Sequence, residues 1–235
     1  MSMSAMKKIV ILNPKGGCGK TTLATNLASY YANRDVPTTL MDYDSQGSSM
    51  RWLRKRPDER PFIDGIAAYQ KNSGVTRSWQ LRVSHNTKRL ILDTPAALDP
   101  QGLTEITKTA HAILVPVLPS EIDIHAASHC VRDLLLIAKV QQHSERIGIV
   151  ANRVRKNTRA YKSLEIFLAR LDIPFLVTLR DSQCYVSAAE QGVGIADLPP
   201  SKQGPDVAEW KMLHEWIESR SKQPLDRDML QNQPA

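Results

Sequence analysis

The sequence predicts an α/β fold, a doubly wound and mostly parallel sheet with helices on both faces. Three observations lead there. Continuous apolar runs such as Ile9-Val10-Ile11-Leu12, Leu90-Ile91-Leu92 and Ala112-Ile113-Leu114-Val115 read as strands buried on both sides. The segments between them carry apolar residues at helical spacing. A glycine-rich loop joins the first run to the first helix, and two strands end in aspartate-bearing segments. At 235 residues, 42% hydrophobic and 23% charged, the chain can bury one full core without disulfide or zinc support. One domain over residues 1–222 is expected, with a polar and disordered tail at 223–235.

The first strand spans 8–12, and the helix from Lys20 to Asn33 places Leu23, Leu27, Tyr30 and Tyr31 on one face. Val36 to Met41 reads as the second strand, and 48–57 as a short basic helix broken by Pro57 and Pro61. The stretch 62–88 shows no readable period. Arg89 to Leu92 is a buried strand ending in Asp93, and His111 to Leu118 another. A helix over 121–140 collects Ala127, Cys130, Val131, Leu134 and Ala138 on one side. Arg146 to Ala151 is a strand, after which Asn157 or Thr158 caps a helix whose stripe is Leu164, Phe167, Leu168 and Leu171. Pro174 to Leu179 gives the last strand, and a helix over 205–220 carries Trp210, Leu213 and Ile217.

Lys15-Gly16-Gly17-Cys18-Gly19-Lys20-Thr21-Thr22 carries the clearest chemistry. Glycines let consecutive backbone N–H groups face an anion, and the helix opening at Lys20 adds the positive end of its dipole. Lys20 supplies a point charge for the β and γ phosphates of a nucleoside triphosphate, and the Thr21 hydroxyl is placed to ligate Mg²⁺. All eight residues are candidate phosphate contacts in a P-loop NTPase. The ordinary spacing G-x-x-x-x-G-K-S/T would put glycine at position 14, but Pro14 stands there and a second lysine, Lys15, follows. Cys18 has two readings: a thiol activated by the helix N-terminus, or a small side chain filling a tolerant loop position.

Asp93, at the end of its strand, fits the acidic residue that holds Mg²⁺; the structural alternative is a helix-capping aspartate before Thr94-Pro95. The second strand runs into Asp42-Tyr43-Asp44-Ser45-Gln46-Gly47. Pleating would point Asp42 and Asp44 toward the crevice above the sheet, where one of them can orient a water for attack on the γ phosphate. Turn chemistry is the alternative for this pair.

With Lys15 through Thr22, Asp42 through Gly47, and Leu90-Ile91-Leu92-Asp93-Thr94-Pro95 at these spacings, the chain resembles the ParA/MinD family of deviant Walker ATPases. The likeness extends through Val115-Pro116-Val117-Leu118-Pro119 and Ile149-Val150-Ala151-Asn152-Arg153, and so covers residues 7–200. Within the family it is most similar to short ParA proteins without an N-terminal DNA-binding domain. The resemblance implies ATP and Mg²⁺ as ligands and a homodimer that sandwiches two nucleotides. Lys15 then reaches the partner's ATP, Lys20 and Thr21 hold phosphate and Mg²⁺, Asp44 acts on the attacking water, and Asn152 sits near the adenine. It also implies a slow ATPase, stimulated by a ParB-like or cargo-adaptor protein, that partitions a plasmid or chromosome or positions a large cargo on the nucleoid.

The net charge of +7 favours a polyanionic partner. Arg51, Arg54, Lys55, Arg56 and Arg60 form one cluster; Arg153, Arg155, Lys156, Arg159 and Lys162 form another. The second cluster is either a solvated helix face or a contact to DNA phosphates. The resemblance favours DNA bound without sequence preference, with Arg180 as a further candidate. No aromatic residues interleave these cations as single-strand stacking would need.

No apolar stretch is long enough to span a bilayer, and Lys7-Lys8 precede too short a run for a secretory signal, so a cytoplasmic protein without membrane contact is expected. A MinD-like membrane regulator remains the alternative. Its anchor would be the last helix, where Trp210, Trp216 and Ile217 invite it, but Glu209, Glu215 and Glu218 interrupt the cationic face an interfacial helix uses. An iron–sulfur carrier would need paired cysteines, and Cys18, Cys130 and Cys184 form no C-x-x-C. A metabolic ligase would need a small-molecule pocket that no motif marks.

Overall fold

The computed structural model describes residues 6–70, 76, 80–140, 145–170 and 173–220. Its centre is a seven-stranded sheet in the order β3-β2-β4-β1-β5-β6-β7, with every adjacent pair parallel. The strands are β1 (Lys7–Ile11), β2 (Thr38–Asp42), β3 (Asp64–Ala67), β4 (Arg89–Asp93), β5 (Ala112–Val117), β6 (Ile147–Val154) and β7 (Phe175–Arg180). The helices are α1 (Lys20–Ala32), α2 (Ser48–Lys55), α3 (Pro100–Lys108), α4 (Glu121–Leu136), α5 (Arg159–Leu168), α6 (Gln183–Glu190), α7 (Pro200–Gln203) and α8 (Asp206–Ser219). Strands β1, β2, β4 and β5 contain almost no exposed residue, as expected where helices cover both faces.

One core layer packs Leu103 and Ile106 of α3, Leu134 of α4 and Leu164 of α5 against Val10, Leu92 and Val115. The other packs Leu23 and Leu27 of α1, Trp52 of α2 and Trp210, Leu213 and Ile217 of α8 against Ile9, Leu40 and Leu114. The expected doubly wound fold is therefore present. Strand β1 lies between β4 and β5, so the chain leaves it toward one side of the sheet and later returns to the other. Above that switch point the C-terminal strand ends open a crevice in folds of this kind.

Several boundaries differ from expectation, each for a local reason. Strand β2 begins at Thr38, since Pro37 has no N–H to give the ladder and the Val36 N–H bonds back to the Tyr31 carbonyl at the end of α1. It ends at Asp42, which leaves Asp44 outside the pleat. The unread stretch contains β3, a four-residue edge strand, Asp64-Gly65-Ile66-Ala67. Helix α3 starts at Pro100 with Asp99 capping the Gly102 N–H, and α6 starts after Ser182, which caps Cys184. Strand β6 continues to Val154 through two register shifts, bringing Asn152 and Arg153 into the strand. Thr158 is the cap of α5, and α4 stops at Leu136. Leu171 and the expected tail at 223–235 lie outside the described residues. No helix among the described residues is long and apolar enough to cross a membrane.

A buried ion pair fastens α1 to α2. Asp197 accepts from both terminal nitrogens of Arg56, at 2.8 and 2.9 Å, and also from Ser29, Asn33 and the Gly194 N–H. Burial pushes this carboxyl up, but these donors outweigh it and hold the group below the usual carboxylate range. Asp197→Ala would leave the Arg56 guanidinium buried without its counter-ion, and removing one partner of such a pair costs about 3–5 kcal/mol. Urea unfolding at pH 7 should show a loss of that order. Because the folded value is depressed, this contribution is present at neutral pH and fades below about pH 4, so the gap between wild type and variant should narrow there.

Candidate functional site

Beyond β1 the chain turns through Asn13 and Pro14 into the glycine loop. Asn13 is buried and braces that turn: its Nδ2 donates to the Pro116 carbonyl at 2.7 Å, and its Oδ1 accepts the Lys15 N–H at 2.8 Å. Gly17 and Gly19 have φ of 76° and 97°, a region that disfavours any side chain. At Gly19 an added Cβ would also come within 2.0 Å of the Asn152 amide nitrogen. Gly19 is the N-cap of α1 and offers no side-chain cap, so the first N–H groups of the helix remain for a ligand.

Lys20 is buried, and its Nζ donates to the carbonyls of Asn13 and Lys15, each at 3.0 Å. Lys15 is half-exposed at the same loop, and Gly16 and Gly17 are exposed. Cys18 is fully buried and its thiol donates to the Lys15 carbonyl; burial pushes its pKa up. The small-side-chain reading of Cys18 therefore holds, and the activated thiol does not.

At the end of β4 the Asp93 carboxylate is 1% exposed. Its Oδ2 accepts from the Thr21 hydroxyl at 2.8 Å and the Ser49 hydroxyl at 2.6 Å, while its Oδ1 is buried with no hydrogen-bond partner. Burial pushes this carboxyl up to about 6, the Ser49 and Thr21 hydroxyls pull it back, Asp42 raises it and Lys20 lowers it. An unpartnered buried carboxylate oxygen beside a threonine hydroxyl is a hard, oxygen-only donor set and fits Mg²⁺. Asp93 caps no helix; the chain enters α3 later, at Pro100.

The aspartates at and beyond the end of β2 take different parts. Asp42 is wholly buried and accepts the N–H groups of Asp44, Ser49 and Met50, so it fixes the turn and the start of α2. Asp44 lies in that turn, half-exposed, with Oδ1 accepting the Gln46 N–H at 2.9 Å. They do not point together into the crevice, and Asp42 drops out as a water-orienting group.

A cavity of about 770 Å³ continues from the loop, lined by Gly17, Gly19 and Thr22 on one side and by residues of β6, β7 and α6 on the other. Asn152 borders it, donating to the Cys18 carbonyl at 2.9 Å and accepting the Arg153 N–H. Of the six cations expected at DNA, Arg153, Arg155 and Arg180 line this cavity. Arg153 and Arg155 both bond Asp181, and Arg180 bonds Asp206. Arg155 and Arg153 hold the Asp181 carboxyl below its usual range. Lys156, Arg159 and Lys162 are exposed at the start and outer face of α5.

Sequence reasoning missed four contributors: Asn13, Ser49, Lys55 and Asp181. Lys55 and Asp181 line the cavity. Lys55 stood in the sequence only as one member of a basic cluster, and Ser49 left a signal because it follows Gly47-Ser48 at a helix start.

The family model described as the CobQ/CobB/MinD/ParA nucleotide binding domain matches residues 9–195. Maintenance of carboxysome distribution protein A from Halothiobacillus neapolitanus is 26% identical over 194 residues, covering 81% of this chain and 87% of that protein. The chromosome-partitioning ATPase Soj of Thermus thermophilus is 40% identical over 142 residues, which cover 50% of this chain and 57% of Soj. Among solved structures, apo McdA of Cyanothece superposes with a TM-score of 0.67 at 17% identity, over 90% of this chain and 99% of the other. The ATP complex of a McdA variant from the same source gives 0.65 at 17% identity, over 90% and 97%. At these identities the structures establish a shared fold.

Asp93→Asn keeps an acceptor for Thr21 and Ser49 but removes a charge that burial disfavours. Because the folded pKa of about 6 lies above the ordinary aspartate value near 4, the penalty is complete above about pH 6 and absent below about pH 4. Without nucleotide the variant should be more stable than wild type at pH 7.5 by on the order of 2–3 kcal/mol in urea unfolding. That gain should vanish near pH 4.

Proposed function

The chain belongs to the CobQ/CobB/MinD/ParA family of nucleotide-binding domains, and on that premise we propose that it is an ATPase of the partition and positioning type. It binds ATP with Mg²⁺, hydrolyses it slowly, pairs with a second copy while the triphosphate is intact, and binds DNA without sequence preference while paired. The observation that carries this reading is the Asp93 carboxylate, buried beside Lys20, held by Thr21 and Ser49, with its Oδ1 unpartnered. The relatives named for carboxysome distribution and chromosome partitioning support the positioning role, and the ATP complex of the Cyanothece relative supports the choice of nucleotide.

The site residues take the following parts in this reading. Phosphate oxygens are stronger acceptors than the loop carbonyls that Lys20 now contacts, so its ammonium transfers to the triphosphate. Thr21 and Asp93 hold Mg²⁺, which when bound offsets charge on the phosphate oxygens. Asp44, half-exposed beyond β2, is the group that orients the attacking water. Lys15 is half-exposed in the same loop, and in the paired state it reaches the partner's nucleotide, as the family resemblance implies. A cation supplied from outside is worth roughly 10³ to 10⁵ in rate in related NTPases, which accounts for slow turnover until a ParB-like or cargo-adaptor protein completes the site.

For DNA the weight shifts to Lys156, Arg159 and Lys162, which are exposed and form no ion pair among the described residues. Arg153, Arg155 and Arg180 already have carboxylate partners beside the cavity. Pairing doubles the number of phosphate contacts, so ATP switches DNA binding on and locates the protein on the nucleoid. The membrane alternative gains nothing from α8, whose Trp210, Leu213 and Ile217 are buried in the core.

Gel retardation with ATP, ADP and no nucleotide tests the reading: affinity should rise with ATP alone and be lost in Lys15→Ala and Lys20→Ala. Equal affinity in ATP and ADP overturns it, as does unstimulated turnover above about 10 s⁻¹. Replacing Lys156, Arg159 and Lys162 by alanine should weaken binding to all sequences alike and lower the salt slope by about one unit per contact removed.

A further inference from the structure

The first turns of α4 carry two imidazoles that nucleotide chemistry does not use. His125 and His129 are four residues apart on the exposed side of the helix, with ring centroids 6.2 Å apart and planes inclined by 36°. The opposite side of the helix buries Ala127, Cys130, Val131 and Leu134, so the backbone beneath the two histidines is fixed by the core. Neither ring hydrogen-bonds or ion-pairs with a described residue, which leaves their place unexplained by packing or capping.

A zinc-bound imidazole nitrogen lies about 2.0–2.1 Å from the ion. Each ring centre then stands roughly 3 Å from it, and two rings sharing one ion are about 5–6 Å apart. The observed separation of 6.2 Å is just beyond that range. Carboxylates flank the pair at the same spacing, Glu121 four residues before His125 and Asp133 four after His129. A metal-bound histidine usually donates its other N–H to such a carboxylate. Asp133 is engaged by Arg132 at 3.2 Å, which makes Glu121 the better placed of the two.

We propose that His125 and His129 chelate a divalent transition-metal ion of the imidazole-preferring kind, Zn²⁺, Ni²⁺ or Cu²⁺. No group of three or more metal-ligating side chains occurs among the described residues, so this is an open two-histidine site with water in its remaining positions. It differs in kind from the oxygen site at Asp93 and does not depend on the ATP reading. The ion clips the first turns of α4 together and stabilises the folded chain by binding it in preference to the unfolded one.

The test is calorimetric titration of the untagged, nucleotide-free full chain with NiCl₂ and with ZnCl₂ in buffer containing millimolar Mg²⁺. One ion per chain should bind. Either His125→Ala or His129→Ala should weaken it by about tenfold or more, since the second ligand no longer acts at the high effective concentration of a chelate. His85→Ala, at another exposed histidine, should leave it unchanged. NiCl₂ should raise the melting temperature of wild type and not of the double variant. Undiminished affinity in the double variant overturns the proposal, and so does displacement of the ion by Mg²⁺.

Discussion

The Asp93 carboxylate joins three elements through one oxygen: β4, which carries it, α1 through the Thr21 hydroxyl and α2 through the Ser49 hydroxyl. With a pKa raised to about 6, it is largely ionised at neutral pH although almost no water reaches it. Two hydroxyl donors compensate that charge only in part, and the other oxygen has none. A fold that retains such a group gives up stability in the nucleotide-free state, because a buried acceptor without a donor carries its desolvation cost. The cost becomes intelligible if the group exists to meet a cation that the loop at 15–22 brings with its ligand.

Much of this was legible in the sequence because it depends on local chemistry. The apolar runs at Ile9, Leu90 and Ala112 needed no context to read as buried strands, and the glycine loop announced its own conformation. Where the sequence was silent, the determinant was weak or distant. Strand β3 has one strongly apolar residue, Ile66, in four, and takes its conformation from pairing with β2. Helix α3 did carry a signal, Asp99-Pro100, that goes unread without a long apolar stripe behind it. The alternation argument that linked Asp42 and Asp44 failed because period two holds only inside a strand, and β2 stops at Asp42. Arg56 looked like one member of a basic cluster until the fold brought Asp197 to it from 141 positions away.

The positive balance of the chain is likewise less a surface property than its count suggests. Lys7 and Arg89 are buried and both bond Glu218 of α8, which also accepts from the Tyr31 hydroxyl. Although burial pushes the Glu218 carboxyl up, these donors hold it below its usual range. Arg56 belongs to Asp197 and Arg180 to Asp206. Cations engaged in this way tie helices to the sheet or to one another and are less available to phosphates. What faces solvent without a carboxylate partner among the described residues includes Lys156, Arg159 and Lys162 at the start of α5 and Arg51, Arg54 and Lys55 on α2.

Helix α2 shows how polar contacts place an element that propensity could not. It has eight residues, about two turns, and a helix so short has no independent stability in water. Three carboxylates hold it instead. Asp42 accepts the N–H groups of Ser49 and Met50, and Asp93 takes the Ser49 hydroxyl, so the N-terminal end is fixed to the ends of β2 and β4. At the other end Arg56 is fixed to Asp197, which also holds Ser29 and Asn33 of the α1 end. The apolar contribution is concentrated in Trp52, whose indole N–H donates to the Val193 carbonyl. Position along the sheet is therefore set at both ends by directional bonds rather than by a wide apolar face. Such a helix keeps its place relative to the glycine loop through the bonds that these three carboxylates accept. This accounts for the burial of Asp42 and Asp197 despite the desolvation each must overcome.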